Sequence, residues 1–425
     1  MSEEESEKIF QPPHYKHELQ RMYATLKGLV LGILMGLIVG CIGAAFFHGI
    51  RIATELRKAH DWLILLLPVA GIVIVSLYRL FGEEHDTGTN LVIGAISAGE
   101  HLPKRKAPLI FVSTILTHLC GGSAGRESAA LQIGGSIGHN IGHLLHQDDG
   151  DTKILTMCGM SAAFAALFGT PMAAAFLAME IESVGVMYYG SLIPCVFSAL
   201  VASSVARFLG TVPDQFTVSF VPEFTVQTAV YAGILAVLCA ALSILFCVVL
   251  KGSGRLYRKY LPNPYLRIVV GGLLVVGLTW LLGVRYYNGS GMDIIELAVQ
   301  GEAPYEAFIL KLLFTALTMG AGYKGGEIIP ALYIGATFGC LYSQLFGFNP
   351  ALCAAIGMGA LFCGITNCPV SSLLLCFEMF GYRGMPYYLL AIALSYTFSG
   401  YYGVYESQKI VYSKFHNRYI NTGTK

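Results

Sequence analysis

Charge is scarce in this chain. Lysine, arginine, aspartate and glutamate supply 12% of its 425 residues, about half the share of an ordinary soluble domain. The 27 basic and 26 acidic residues nearly cancel, leaving a formal net charge of +1, so there is no basic footprint for nucleic acid, and nucleic acid is excluded as a partner. The eleven cysteines lie scattered in apolar segments with no Cys-x-x-Cys spacing. That argues against a disulfide or metal framework and reads them as small buried apolar residues. The first twenty residues, opening Met1-Ser-Glu-Glu-Glu-Ser-Glu-Lys, carry no apolar core, so a cleaved secretory signal is not expected. No low-complexity stretch interrupts the chain.

What is abundant is apolar surface and glycine: 55% of residues are apolar, the mean hydropathy is +0.62, and glycines number 49. Residues 28–47, 183–206, 225–250 and 385–405 are uncharged runs long enough to cross a bilayer, with 268–284 at the short end. Segments such as 109–125 and 328–346 are shorter or interrupted by glycine, which predicts discontinuous helices ending inside the membrane, where they must line a cavity or be buried in protein.

Basic residues gather at Lys16 and Arg21, at Lys251, Arg255, Arg258, Lys259 and Arg267, and at Lys409, Lys414 and Arg418. The positive-inside tendency places both termini and the middle connector in the cytoplasm, and Lys104-Arg105-Lys106 adds a candidate cytoplasmic loop. The expected organisation is a tail over 1–22, a first membrane repeat over 23–210, a second over 211–408 and a tail over 409–425, too short to fold alone. The basic connector at 251–267 and the Pro- and Phe-rich stretch 213–224 compete as the boundary between halves.

The repeat is written in one motif. Gly121-Gly-Ser-Ala-Gly-Arg-Glu-Ser-Ala-Ala-Leu-Gln-Ile-Gly-Gly-Ser-Ile-Gly138 is echoed by Gly320-Ala-Gly-Tyr-Lys-Gly-Gly-Glu-Ile-Ile-Pro-Ala-Leu-Tyr-Ile-Gly-Ala-Thr-Phe-Gly339. Leu131, Ile133, Gly134 and Gly138 match Leu332, Ile334, Gly335 and Gly339 at a constant offset of 201. A second echo follows each copy: Gly159-Met160, Pro171 and Glu180 recur as Gly357-Met358, Pro369 and Glu378 at an offset of 198. Glycine lets backbone N–H groups crowd a ligand, and the helix that follows presents its positive dipole end, so each turn is a natural anion seat. Glu127 is an anion already sitting in one of them; it can compete with another anion, and carry a proton when it loses.

These motifs resemble the CLC family of anion channels and anion/proton antiporters over nearly the whole chain, from Gly28 to about Gln408. The family's second anion-binding turn is matched by Gly125-Arg126-Glu127-Ser128-Ala129 and its third by Gly326-Glu327-Ile328-Ile329-Pro330. The first is recognisable by position only, as Gly88-Thr89-Asn90-Leu91-Val92, and the tyrosine near the carboxyl terminus is best matched by Tyr405. Three departures point to the fluoride-exporting branch: Thr89 and Asn90 break the chloride motif, Glu327 stands at the third turn, and Ile181 aligns with the second proton glutamate of chloride antiporters. Against them, that branch usually has threonine where this chain has Ile329.

The resemblance implies an all-α polytopic membrane protein with two inverted-topology repeats of full and broken helices, working as a homodimer in the cell membrane. It needs no cofactor or metal, and its partners are a fluoride or chloride ion, protons and the lipid bilayer. The leading function is a fluoride/proton antiporter that exports fluoride, the alternative a chloride channel or chloride/proton antiporter of the same fold. Glu127 and Glu327 become the gating and proton-transfer candidates. Thr89, Asn90, Gly125, Arg126, Ser128, Ala129, Ile328, Ile329 and Tyr405 become the anion-binding candidates, their backbone N–H groups, hydroxyls and amide replacing water around a tightly hydrated ion.

The plainer readings are set beside these. Arg126 is more simply a structural residue paired with a carboxylate, and Lys324 attracts anions or merely sits at a turn. Glu180 and Glu378, at matching positions in the two halves, read as helix-end residues. His139, His143 and His146 have a spacing that admits a metal, but they end a helix before Gln147-Asp148-Asp149 and read as an interfacial polar face. An intramembrane enzyme would need a nucleophile with a base; Ser123 and Ser128 have no partner identifiable in the sequence.

Overall fold

The computed structural model describes residues 15–425 apart from His85 and Ser219, with side chains from Arg21 onward. The tail expected over 1–22 therefore falls largely outside the described residues, as does the Lys16 side chain; from Tyr15 the chain is already helical. Eight helices form a first series: α1 (Tyr15–Ala59), α2 (Leu67–Leu80), α3 (Thr89–Ala98), α4 (Lys106–Leu119), α5 (Glu127–Leu144), α6 (Asp149–Phe168), α7 (Pro171–Glu180) and α8 (Leu192–Phe208). Eight more follow: α9 (Val226–Tyr260), α10 (Pro264–Leu282), α11 (Met292–Gln300), α12 (Ala307–Ala321), α13 (Ile328–Phe346), α14 (Pro350–Thr366), α15 (Pro369–Phe380) and α16 (Met385–Phe398).

The second series restates the first. Each opens on its longest helix, of 45 and 35 residues, has a stub of 10 or 9 residues in third place, and carries the glycine motif into its fifth member. The fold is that of an all-α membrane protein built from two inverted repeats. The basic residues at 251–259 lie in the last turns of α9 and Arg267 in α10, so the basic connector sits inside the second series, whereas the chain between Phe208 and Val226 separates the two.

Six helical stretches among the described residues are long and apolar enough to cross a bilayer: 21–59, 61–80, 189–208, 226–260, 264–282 and 328–346. Shorter apolar helices, including α3, α4, α7, α12, α14 and α15, supply the broken elements. Three apolar runs behave differently from their reading in the sequence. The run 183–206 opens with a two-residue strand and a turn, and becomes α8 only at Leu192; the run 385–405 stops being helical at Phe398. Conversely 328–346 is one unbroken helix, because its glycines serve packing and not interruption.

That packing is specific. A Cβ on Gly335 would lie 2.3 Å from the Gly357 carbonyl oxygen, and one on Gly339 2.2 Å from that of Cys353. The first repeat does the same, with Gly134 against Gly159 and Gly138 against Leu155. Thus α5 crosses α6, and α13 crosses α14, backbone on backbone, the close approach that holds helices together where lipid removes the hydrophobic drive between them. The matched glycines of the sequence are these two crossings.

The end of the chain is not a loose tail. β2 (Lys409–Tyr412) runs parallel to β1 (Ser183–Val184) and antiparallel to β3 (Tyr419–Gly423), making a small sheet that fastens the carboxyl terminus to the α7–α8 connection.

Candidate functional site

The two motif turns meet. Gly125 N–H donates to the Gly326 carbonyl at 2.6 Å and Gly326 N–H donates to the Gly125 carbonyl at 2.8 Å, so equivalent glycines of the two repeats form a two-bond antiparallel bridge in the protein interior. From either side of it a helix departs, α5 at Glu127 and α13 at Ile328. The first in-helix acceptors go to Ala130 and Ala331, whose N–H groups reach the Arg126 and Glu327 carbonyls. The amides of Ser128, Ala129, Ile328 and Ile329 precede them and have no intrahelical acceptor. Two helix N-termini with free amides thus lie beside one hydrogen-bonded pair, an arrangement that favours an anion.

Three buried polar atoms converge there without completing a hydrogen bond: Ser128 Oγ, the Tyr405 hydroxyl and Glu327 Oε1. Their residues are 0%, 2% and 7% exposed. A buried polar group left short of a partner costs about 1–3 kcal/mol, so the spot suits a hydrogen-bonding guest. Glu327 and Tyr405, with Thr89, Asn90, Gln132 and Lys324, line a cavity of about 1240 Å³. Thr89 opens α3, and its hydroxyl accepts from Gln132 Nε2 at 3.2 Å. Asn90 Oδ1 accepts from Ser407 N–H at 3.1 Å, fastening the Tyr405 loop to the start of α3.

Glu127 lies away from that cavity and is fully buried. Its carboxylate accepts from the Arg126 backbone N–H and from Arg126 Nε, both at 3.0 Å. The Arg126 guanidinium continues to Asp214 at 2.8 Å and stacks on Phe47. Asp214 is held in place by its connector, which hydrogen-bonds from Asp214 N–H to the Phe168 carbonyl and from Phe216 N–H to the Met379 carbonyl.

A family model of the voltage-gated chloride channel matches residues 70–400. The chain belongs to the CLC family. This CLC chain is 34% identical over 401 residues to a chloride/fluoride channel protein of Pseudomonas syringae pv. tomato, covering 92% of the chain and 88% of that relative. It is 26% identical over 389 residues to the H(+)/Cl(−) exchange transporter ClcA of Vibrio cholerae, covering 83% of the chain and 81% of the relative. Among solved structures, a CLC-type fluoride/proton antiporter superposes with a TM-score of 0.87 at 30% identity, over 90% of this chain and 98% of that one.

Within the CLC fold the candidates sort themselves by position. Ser128, Ala129, Ile328 and Ile329 surround the paired turns, and Thr89, Asn90, Glu327 and Tyr405 face the cavity from the other elements. Two expected anion donors are otherwise engaged. The Gly125 amide is spent on Gly326, and Arg126 is taken up by Glu127, Asp214 and Phe47. Lys324 is likewise tied down, by Asp86 at 2.8 Å and the Tyr78 ring. Asp86 also takes Lys106, which is 2% exposed and not the solvated loop residue that Lys104-Arg105-Lys106 suggested. Asp86 stands on the connector between α2 and α3, outside the spanning helices; burial pushes its carboxyl up, but Lys324 and Lys106 outweigh it and hold it well below the usual carboxylate range.

Glu180 and Glu378 cap each other's repeats. Glu180 accepts from Val370 N–H, Ser371 N–H and the Ser371 hydroxyl at the start of α15. Glu378 accepts from Met172 and Ala173 N–H at the start of α7. The Pro-plus-nine spacing is the length of a helix whose far end meets its twin's beginning. Gln132, Asp86 and Asp214 had escaped sequence reasoning; only Gln132 lay inside a motif already under scrutiny, one residue after Leu131.

Proposed function

We propose that this CLC chain is a fluoride/proton antiporter that exports fluoride, with Glu127 as the gating and proton-carrying group and Glu327 as the second carboxylate of the anion path. One observation carries the reading: two buried carboxylates flank the hydrogen-bonded Gly125–Gly326 pair, Glu327 on the cavity wall with the Tyr405 hydroxyl and close to Ser128 Oγ, Glu127 away from the cavity in the grip of Arg126. Fluoride is a strong hydrogen-bond acceptor with a tight water shell, and the free amides and hydroxyls around the pair are the donors that replace that shell. Protonation of Glu127 weakens its hold on the Arg126 amide and guanidinium, because both bonds are charge-assisted. The freed side chain then yields its place to an anion and takes its proton with it.

Fluoride- and chloride-loaded liposomes containing the purified protein, with external pH recorded and Glu127→Gln run in parallel, test this. Fluoride efflux coupled to proton uptake and lost in Glu127→Gln is expected; proton-independent flux removes the antiporter. The alternative, a chloride channel or chloride/proton antiporter, is favoured by one residue. Ile329, 1% exposed in the first turn of α13, brings no hydroxyl to the site. Chloride efflux at a rate equal to or above that of fluoride makes it the better reading.

The same reading makes the working unit a homodimer in the cell membrane with both termini cytoplasmic and one anion path per subunit. A one-copy particle mass from light scattering in detergent would remove the dimer.

A further inference from the structure

The histidines at the carboxyl end of α5 gain a member that no spacing in the sequence advertises. His139 and His143, one helical turn apart, are joined by His101 from the α3–α4 linker, whereas His146, at a positive φ beyond the helix, stands outside the group. One nitrogen from each of the three rings lies within 4.8 Å of the others. His139 Nε2 and His143 Nε2 are 3.1 Å apart, close to the roughly 3.4 Å spacing of two nitrogens that share a tetrahedral ion at about 2.1 Å. The rings do not stack: their planes meet at 67°, 58° and 70°, with centroids 5.6, 5.9 and 4.6 Å apart.

The surroundings are those of a half-built coordination sphere. His139 is 5% exposed, and its Nε2 accepts from the Leu102 backbone N–H at 3.3 Å and is hydrogen-bonded to His143 Nε2, so its lone pair faces the cluster and an arriving ion takes the place of those two bonds. Asn140 Nδ2 donates to the Leu102 carbonyl, so the linker that presents His101 is itself pinned to α5. His101 and His143 are exposed, leaving an entry path and a free position for water. Three neutral imidazoles with an open site suit zinc, copper, nickel or cobalt and discriminate against calcium and magnesium, which want oxygen ligands.

We propose that His101, His139 and His143 bind one divalent transition-metal ion, zinc foremost, and that the ion ties the α3–α4 linker to the end of α5. The tie matters because α3 begins at Thr89 and α5 at Glu127, so the ion braces the far ends of two elements that meet at the anion site.

The test uses the full chain without an affinity tag, stripped with chelator and titrated with Zn²⁺ by calorimetry and with Co²⁺ by visible absorption. His101→Gln and His143→Gln serve as the variants, both positions being exposed and safe for folding. One ion per chain is expected, with intense tetrahedral Co²⁺ bands, a rise in melting temperature on adding Zn²⁺, and binding at least about tenfold weaker in each variant. No saturable binding, or binding indifferent to both variants, overturns the site. Binding with no thermal shift overturns the tie.

Discussion

Glu180 offers the sharpest separation of scaffold from transport, because it adjoins Ile181, which the resemblance to the family sets against a proton glutamate of chloride antiporters. The carboxylate is 7% exposed and accepts three donors, Val370 N–H at 3.1 Å, Ser371 N–H at 2.9 Å and Ser371 Oγ at 2.5 Å. Hydrogen bonds to a charged acceptor contribute about 1.5–3 kcal/mol each. In Glu180→Gln the amide oxygen still accepts from one backbone N–H, while the new NH₂ faces an N–H that it cannot satisfy. A net loss of about 2–4 kcal/mol follows. Glu378, half-buried with two donors at 2.9 Å, loses about half as much on the same change. Thermal unfolding of the detergent-purified protein reads the order, Glu180→Gln melting below Glu378→Gln and both below wild type. Reconstituted into liposomes, Glu180→Gln moves the same number of protons per anion as wild type. An unaltered melting temperature with coupling abolished would refute the reasoning and make Glu180 a proton carrier.

Two further outcomes test the scaffold. Gly335→Ala drives a methyl into the Gly357 carbonyl region at 2.3 Å and should cost a few kcal/mol or prevent accumulation, whereas Gly252→Ala, with nothing within 4 Å, should be silent or slightly stabilising; melting curves of the pair decide. Asp86→Asn leaves buried Lys106 and part-buried Lys324 unpaired and should cost about 3–5 kcal/mol at neutral pH. Because the Asp86 carboxyl is held below its unfolded value, its contribution is complete above about pH 4 and fades as pH falls through the lowered value. The gap between wild type and Asp86→Asn should therefore narrow only in strong acid, and a gap that widens there contradicts the triad.

What could be read from the sequence was whatever the duplication wrote twice. The matched offsets of the glycine motif and of the Pro–Glu pairs foretold two turns of one kind, and the structure joins them through Gly125 and Gly326. Tyr405 and Glu327 were legible because a motif or an alignment pointed at each; that they converge with Ser128 was not, since one lies near the carboxyl terminus, one at the start of α13 and one in α5. Partners recruited from outside the motifs stayed hidden for the same reason. Asp214 reaches Arg126 only because its connector is strapped across the ends of α6 and α15, and within 213–224 it looked like one of two acids in a linker. His101 is separated from His139 by the whole of α4 and the motif turn, so no periodicity links them. Glycine misled in one respect: inside 328–346 it signalled a break, yet it supplies the groove for α14.

The bridge between Gly125 and Gly326 also bears on how such a molecule can present its site to one face of the membrane and then the other. Rocking one half against its twin would pull on a place where both halves are stitched by reciprocal backbone bonds, and parting those two bonds would leave four buried polar groups without partners. Access that changes through small parts, a carboxylate turning on its χ angles or a loop shifting at the rim, leaves that stitch intact, whereas movement of one half against the other has to break it.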